Sequence, residues 1–266
     1  MKRFGLILSM ALGLASLWLA PLASAQDAAA QPQIAFDSLT GIYHLSRDSR
    51  GLSLLTTEET IVADFPGSSY YGITRALPKN FQNHAVDLRI LNVTDAAGDQ
   101  VPYKTSSIGD NLVITTGDPA IALSGSQTIK IIYQTRGVVD LGSKIDEFLL
   151  DVNGRGWDQP IGRVDAALYI PASFKASLKG NPTCYTSLNG YNSNNCLINT
   201  QKKADTTIIT SRAQPVSAHQ ALVLKLAFAP STFSNGHSYL ARSVWLGVGA
   251  ILILVAAIYF TKSVIL

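Results

Sequence analysis

The stretch SQTIKIIYQTRGVV (126–139) decides the fold class. Successive side chains of a strand point to opposite faces, so Ile129, Ile131 and Tyr133 share one side and Thr128, Lys130 and Ile132 the other. Period-two spacing with β-branched residues predicts a half-buried strand. The same signature recurs outward in both directions. Upstream lie GLSLLTTEETIVADF (51–65), VDLRILNVT (86–94) and NLVITTGD (111–118). Downstream lie DEFLLDV (146–152), RVDAALYIP (163–171), DTTIITSR (205–212) and ALVLKLAFAP (221–230). Turn signals such as Ala97-Gly98-Asp99-Gln100, Ile108-Gly109-Asp110-Asn111 and Ser124-Gly125 punctuate them. No stretch within 34–230 carries a helical face. The expectation is an all-β, antiparallel β-sandwich over 34–230, either one large unit or tandem halves at 34–138 and 161–230.

The two ends differ from this middle. MKRFGLILSMALGLASLWLAPLASAQ combines Lys2 and Arg3 with an apolar run and the small residues Ala23-Ser24-Ala25. This is the layout of a secretory signal, predicted to span 1–25 and to be removed, followed by a polar linker at 26–33. SVWLGVGAILILVAAIYFT (243–261) contains no charge. As a helix it would cover roughly 28 Å, about the thickness of a bilayer's hydrocarbon. Arg242 and Lys262 bracket it, and Trp245 and Tyr259 lie near its ends. The signal orients the chain and the second segment stops its transfer. The predicted layout is an outside body, a juxtamembrane stalk at 231–242, a transmembrane helix embedded in the lipid bilayer at 243–261, and a short cytoplasmic end at 262–266. Within the stalk, Phe233 and Tyr239 are expected to reach lipid headgroups.

Setting Lys2 and Arg3 aside reduces 21 basic residues to 19, against 18 acidic ones. A nearly neutral body with no basic run gives no reason to expect nucleic acid. The two cysteines, Cys184 and Cys196, both fall in the exported part and are expected to form a disulfide there.

Candidate chemistry is sparse. His44, His84, His219 and His237 are scattered and fit no metal-ligand spacing, and no Walker, dinucleotide-binding or GxSxG pattern occurs. Neither a cofactor nor a metal is expected. Asn92-Val93-Thr94 is a formal glycosylation sequon, too short a pattern to carry weight. Of the carboxylate pairs, Glu58-Glu59 and Asp146-Glu147 are adjacent on strands and face opposite sides. Asp151 and Asp158 lie in FLLDVNGRGWDQPIG (148–162) and could serve as the acid and base of a glycoside hydrolase. A simpler reading explains every residue of that stretch: a strand, a tight turn at Asn153-Gly154, a buried Trp157 anchor, and Pro160 ending the ladder.

The order of motifs also resembles the bacterial predicted-membrane-protein family of domain of unknown function 2207. The likeness runs through GLSLLTTEETIVADF, YYGITRALP (70–78), Val101-Pro102-Tyr103, GDPAIALSGSQTIKIIYQTRGVV (117–139), DEFLLDVNGRGWDQPIGRVDAALYIP (146–171) and CYTSLNGYNSNNC (184–196), over about residues 34–260. It implies an extracytoplasmic module on a membrane anchor and brings no activity. Family members continue into further membrane helices and a glycine-rich tail. This sequence runs only to Leu266, so either a short form or a fragment is expected.

Within these motifs Glu59, Arg75, Asp146, Glu147 and Trp157 stand out. Arg75 beside Tyr70 and Tyr71 could anchor a partner; alternatively Arg75 pairs with Glu59 or Glu147 and locks a loop onto the sheet. The leading expectation is a non-enzymatic interaction or scaffolding module of the cell envelope. A glycan- or cell-wall-binding module using Tyr70, Tyr71, Trp157, Tyr185 and Tyr191 is the alternative, and a hydrolase the third.

Overall fold

The structure is a computed structural model that describes residues 33–82, 84–188 and 190–234. The expected signal peptide, transmembrane helix and cytoplasmic end lie outside those residues. The chain between them is all-β, and among the described residues its only helical element is a short 3-10 turn at Ala172–Phe174.

Among the described residues, seventeen strands build the fold. They are β1 (Ala35–Arg47), β2 (Ser53–Tyr70), β3 (Thr74–Pro78), β4 (Asn80–Phe81), β5 (His84–Ala85), β6 (Asp87–Thr94), β7 (Tyr103–Ile108), β8 (Asn111–Thr116) and β9 (Leu123–Arg136). There follow β10 (Val139–Leu141), β11 (Asp146–Asp151), β12 (Ile161–Pro171), β13 (Leu178–Leu188), β14 (Tyr191–Ser193), β15 (Leu197–Lys202), β16 (Thr206–Ala213) and β17 (Ala221–Phe228). The largest sheet has seven strands in the order β15-β16-β12-β1-β2-β9-β6. A five-stranded sheet runs β10-β11-β17-β13-β14, a three-stranded sheet β3-β8-β7, and β4 and β5 form a small ribbon.

Two expectations change here. The sheets are not wholly antiparallel: β1 and β12 pair in parallel, from Phe36 opposite Ile161 to His44 opposite Tyr169. A parallel pair needs a long crossover, and everything from β2 to β11 intervenes between these two strands. The same pairing argues against a division at 34–138 and 161–230. It joins strands of both stretches in the centre of one sheet.

Alternation places the core. On β2 the buried side chains include Leu55, Thr57, Glu59, Ile61, Ala63 and Phe65, and on β9 they are Ile129, Ile131, Tyr133 and Thr135. They meet Leu77 and Ile114 from the three-stranded sheet and Phe148, Leu224 and Leu226 from the five-stranded sheet. Apart from Thr57, Glu59 and Thr135, these residues belong to one contiguous apolar cluster.

The end of the described chain belongs to this body. Phe233, expected near headgroups, is buried. Its ring packs against Phe174 at 5.2 Å and Phe228 at 5.3 Å. The Ser234 amide donates to the Gly51 carbonyl and the Ser234 hydroxyl to the Arg50 carbonyl, tying the chain to the β1–β2 turn. Phe233 and Ser234, which the sequence reading placed in the stalk, are therefore part of the body.

Candidate functional site

Glu59 lies on the inner face of β2 and Arg75 near the start of β3, and the packing of the two sheets brings them together. The carboxylate and guanidinium meet as a two-pronged pair, Arg75 Nε to Glu59 Oε2 and Arg75 Nη2 to Glu59 Oε1, each at 2.7 Å. Their side chains are 3% and 0% exposed. Tyr133 donates its hydroxyl to Glu59 Oε1 at 2.7 Å, and Arg75 Nη1 donates to the Ala76 carbonyl at 2.9 Å. Trp157 covers the cation, with its ring centroid 5.7 Å from the guanidinium carbon. A charge pair so far from water persists only when its hydrogen-bonding groups are met in good geometry.

The electrostatics follow from this enclosure. Burial, and then the Glu59 charge, pushes the hydroxyl pKa values of Tyr133 and Tyr43 well above their ordinary value. Burial alone would lower the pKa of Arg75, but the charge and hydrogen bonds of Glu59 outweigh it and raise it. Both phenols stay protonated and the guanidinium stays charged.

The stretch 148–162 holds this cluster from the other side. After β11 the chain turns at Gly154, whose φ of 71° suits a residue without a Cβ. A Cβ there would stand 3.1 Å from Arg75 Nη1. Asn153 acts as the bracket: its side chain donates to the Gly154 and Gln220 carbonyls and accepts from the Leu222 amide. Trp157 is 5% exposed, donates its indole N–H to the Asn153 carbonyl at 2.7 Å, and sets its ring edge-on to Phe36. A ring placed this way is an anchor, which removes Trp157 from any exposed sugar platform.

The remaining candidates are spread out. Asp146 is buried and accepts from the Phe233 amide. Glu147 pairs with Lys225 at 2.6 Å rather than with Arg75. Asp151 pairs with Arg155 at 3.4 Å; burial raises its pKa and the Arg155 charge opposes the rise. Asp158 is 84% exposed and lies 3.7 Å from His219. Tyr70 packs beside Phe65, whereas Tyr71 is exposed. Tyr185 lies half-buried on β13, and Tyr191, on β14, is 83% exposed. His44 stacks on Tyr169, His84 contacts the Gly137 carbonyl, and His237 lies outside the described residues. Among the described residues no three His, Cys, Asp or Glu side chains gather as a metal site would require.

Cys184 and Cys196 form a disulfide with their Cα atoms 6.2 Å apart. It joins β13 of the five-stranded sheet to the residue before β15, the outer strand of the seven-stranded sheet. Beside it Leu197 is 71% exposed and Ile198 38%.

Sequence reasoning missed Tyr43, Thr57, Tyr133 and Asn153 as members of this region. A signal for the first three existed, because polar side chains stand in register with core positions on β1, β2 and β9. The role of Asn153 had none, since its partners at 220 and 222 are remote in sequence. The Thr57, Arg75 and Tyr133 side chains also line the inner part of a cleft of about 630 Å³, opening between the β4–β5 ribbon and the end of β11.

Compared with known proteins, residues 53–228 match the family described as predicted membrane protein (DUF2207), N-terminal domain. No curated protein matches the chain by sequence. Among solved structures the fold is similar to the M1 zinc metallopeptidase from Deinococcus radiodurans, at 10% identity and a TM-score of 0.45, over 73% of this chain and 42% of that one. It is also similar to native leukotriene A4 hydrolase from Saccharomyces cerevisiae, at 8% identity and a TM-score of 0.42, over 73% of this chain and 29% of that one. The chain thus spans less than half the length of either.

Proposed function

The chain belongs to the DUF2207 predicted membrane protein family, and from that premise we propose that its all-β body is the extracytoplasmic part of a single-span envelope protein. In this reading residues 1–25 direct export and are removed, 243–261 cross the bilayer, and the body is a sandwich that acts as a non-enzymatic interaction or scaffolding module. The disulfide supports an oxidising compartment. The buried polar cluster supports a structural role for Arg75 and Glu59, because both are consumed by internal partners.

One observation carries the interaction reading: the outer strand β15, all six of whose residues are exposed, turns Leu197 and Ile198 to solvent next to a cross-sheet staple. An outermost strand offers backbone N–H and C=O groups that an extended segment of another protein can pair with, and the exposed apolar side chains add grip. The partner in this reading is an envelope protein that contributes such a segment.

A photo-crosslinking residue placed at Leu197 of the full-length protein in its own membrane tests this. The expected result is a discrete heavier adduct that disappears when Ile198→Lys is added, whereas the same residue placed at exposed Ile121, in the loop before β9, yields none. Adducts of equal yield from both positions, or none from either, would contradict the proposal.

A further inference from the structure

The geometry points to the cleft between the β4–β5 ribbon and β11 as a binding site for a neutral amphiphile, an aliphatic chain that ends in an uncharged hydrogen-bonding group. The volume, about 630 Å³, falls within the ~300–1,000 Å³ usual for small-molecule sites. Its walls are mostly apolar, with Leu55, Leu77, Val138 and Phe148 buried at the inner end and Phe81 and Leu88 half-exposed nearer the mouth, where Asn80 and Asn111 add polar side chains. A single water, whose share of liquid volume is ~30 Å³, would leave most of such a space unfilled.

A polar feature at the inner end calls for a ligand. Thr57 is fully buried on the inner face of β2, between Tyr43 and Tyr133 in register, and among the described residues its hydroxyl has no hydrogen-bond partner. A buried hydroxyl left unpaired costs free energy, and a ligand group that pairs with it recovers that cost. The charge balance there decides what that group is. Arg75 is the nearby cation, and Glu59 already neutralises it through both prongs. A carboxylate head brought to this point would face Glu59 without a free counter-charge, whereas an amide or alcohol pairs with Thr57 at no electrostatic cost. The Arg155–Asp151 pair at the mouth is half-exposed and likewise balanced, so it does not select an ionic ligand.

This site is separate from the β15 edge and stands or falls apart from it. The test is photolabelling of the full-length protein in its membrane with a diazirine-bearing dodecanamide, followed by mapping of the labelled peptides. The expected result is saturable labelling of the peptides that carry Leu88 and Leu150, competed by excess dodecanamide and at least tenfold less well by dodecanoate. Thr57→Val is expected to reduce that labelling about tenfold while raising the melting temperature of the unliganded protein, since it replaces an unpaired hydroxyl with a methyl group. A purely structural threonine would not move the two readouts in opposite directions. Label that never saturates or is confined to 243–261, equal competition by dodecanoate, displacement only by an apolar peptide, or unchanged labelling of Thr57→Val would each overturn the assignment.

Discussion

Arg75 can be used by a partner only if its guanidinium is free, and it is not. Both prongs are engaged by Glu59, a third N–H by the Ala76 carbonyl, and the Trp157 ring lies against the guanidinium carbon. Removing one member of such a pair strands the other as a buried charge. Arg75→Ala is therefore expected to destabilise the protein by roughly 3–5 kcal/mol. Replacing both charges with apolar groups of similar size, Glu59→Leu with Arg75→Met, is expected to restore most of that loss. Thermal unfolding of the three variants reads this directly, and an unchanged midpoint for Arg75→Ala would show the pair to be dispensable. The sequence narrowed Arg75 to two partners, Glu59 or Glu147, and could go no further. Glu59 alternates with Leu55 and Ile61 on the inner face of β2, and Glu147 turns to Lys225. Which acid meets Arg75 depends on how the sheets stack, a property of chain segments far apart.

At the scale of elements, most strands with one face buried were legible and most without one were not. β1, buried at alternate residues from Leu39 to Leu45, escaped, and β6, buried only at Val93 and Thr94, was read. β2, β8, β9, β11, β12, β16 and β17 all fall within or beside the period-two runs, because burial of alternate side chains imposes that spacing. β7 and β15, with six exposed residues each, carry no such imprint. β3, bracketed by Gly72 and Pro78, was not read as a strand, and β13 is interrupted by a register shift between Lys179 and Thr183. The β1–β2 turn was also missed, although its residues form a closed device. Asp48 accepts from the Arg50 and Leu52 amides and from the Arg50 guanidinium. Partial burial would raise its pKa, but those amides and then Arg50 outweigh burial and hold it below its ordinary 3.8. A carboxyl depressed in the folded state lends stability that is complete above 3.8 and lost as pH falls through the folded value. Asp48→Asn should thus lower the melting temperature at neutral pH, and the gap from wild type should close as pH falls below 3.8. A gap that stays constant across that range would show that the ionised form contributes nothing.

The whole molecule is held by non-local contacts that no local pattern announces. The parallel β1–β12 pairing and the return of Phe233 to Phe174 each join distant parts of the chain. Export, β-richness and a membrane anchor could be read as expectations from composition and spacing. The stacking of the sheets could not, since it depends on which inner faces meet. The cysteines link this scale to the cell. Their bridge closes a short loop and contributes about 3 kcal/mol on a chain-entropy basis, but only in a compartment that keeps it oxidised. The most direct test of an extracytoplasmic body is therefore acid-quenched thiol trapping of Cys184 and Cys196 in living cells. The account predicts that both are unreactive until a reductant is added; two freely alkylated thiols at the moment of quenching would contradict it.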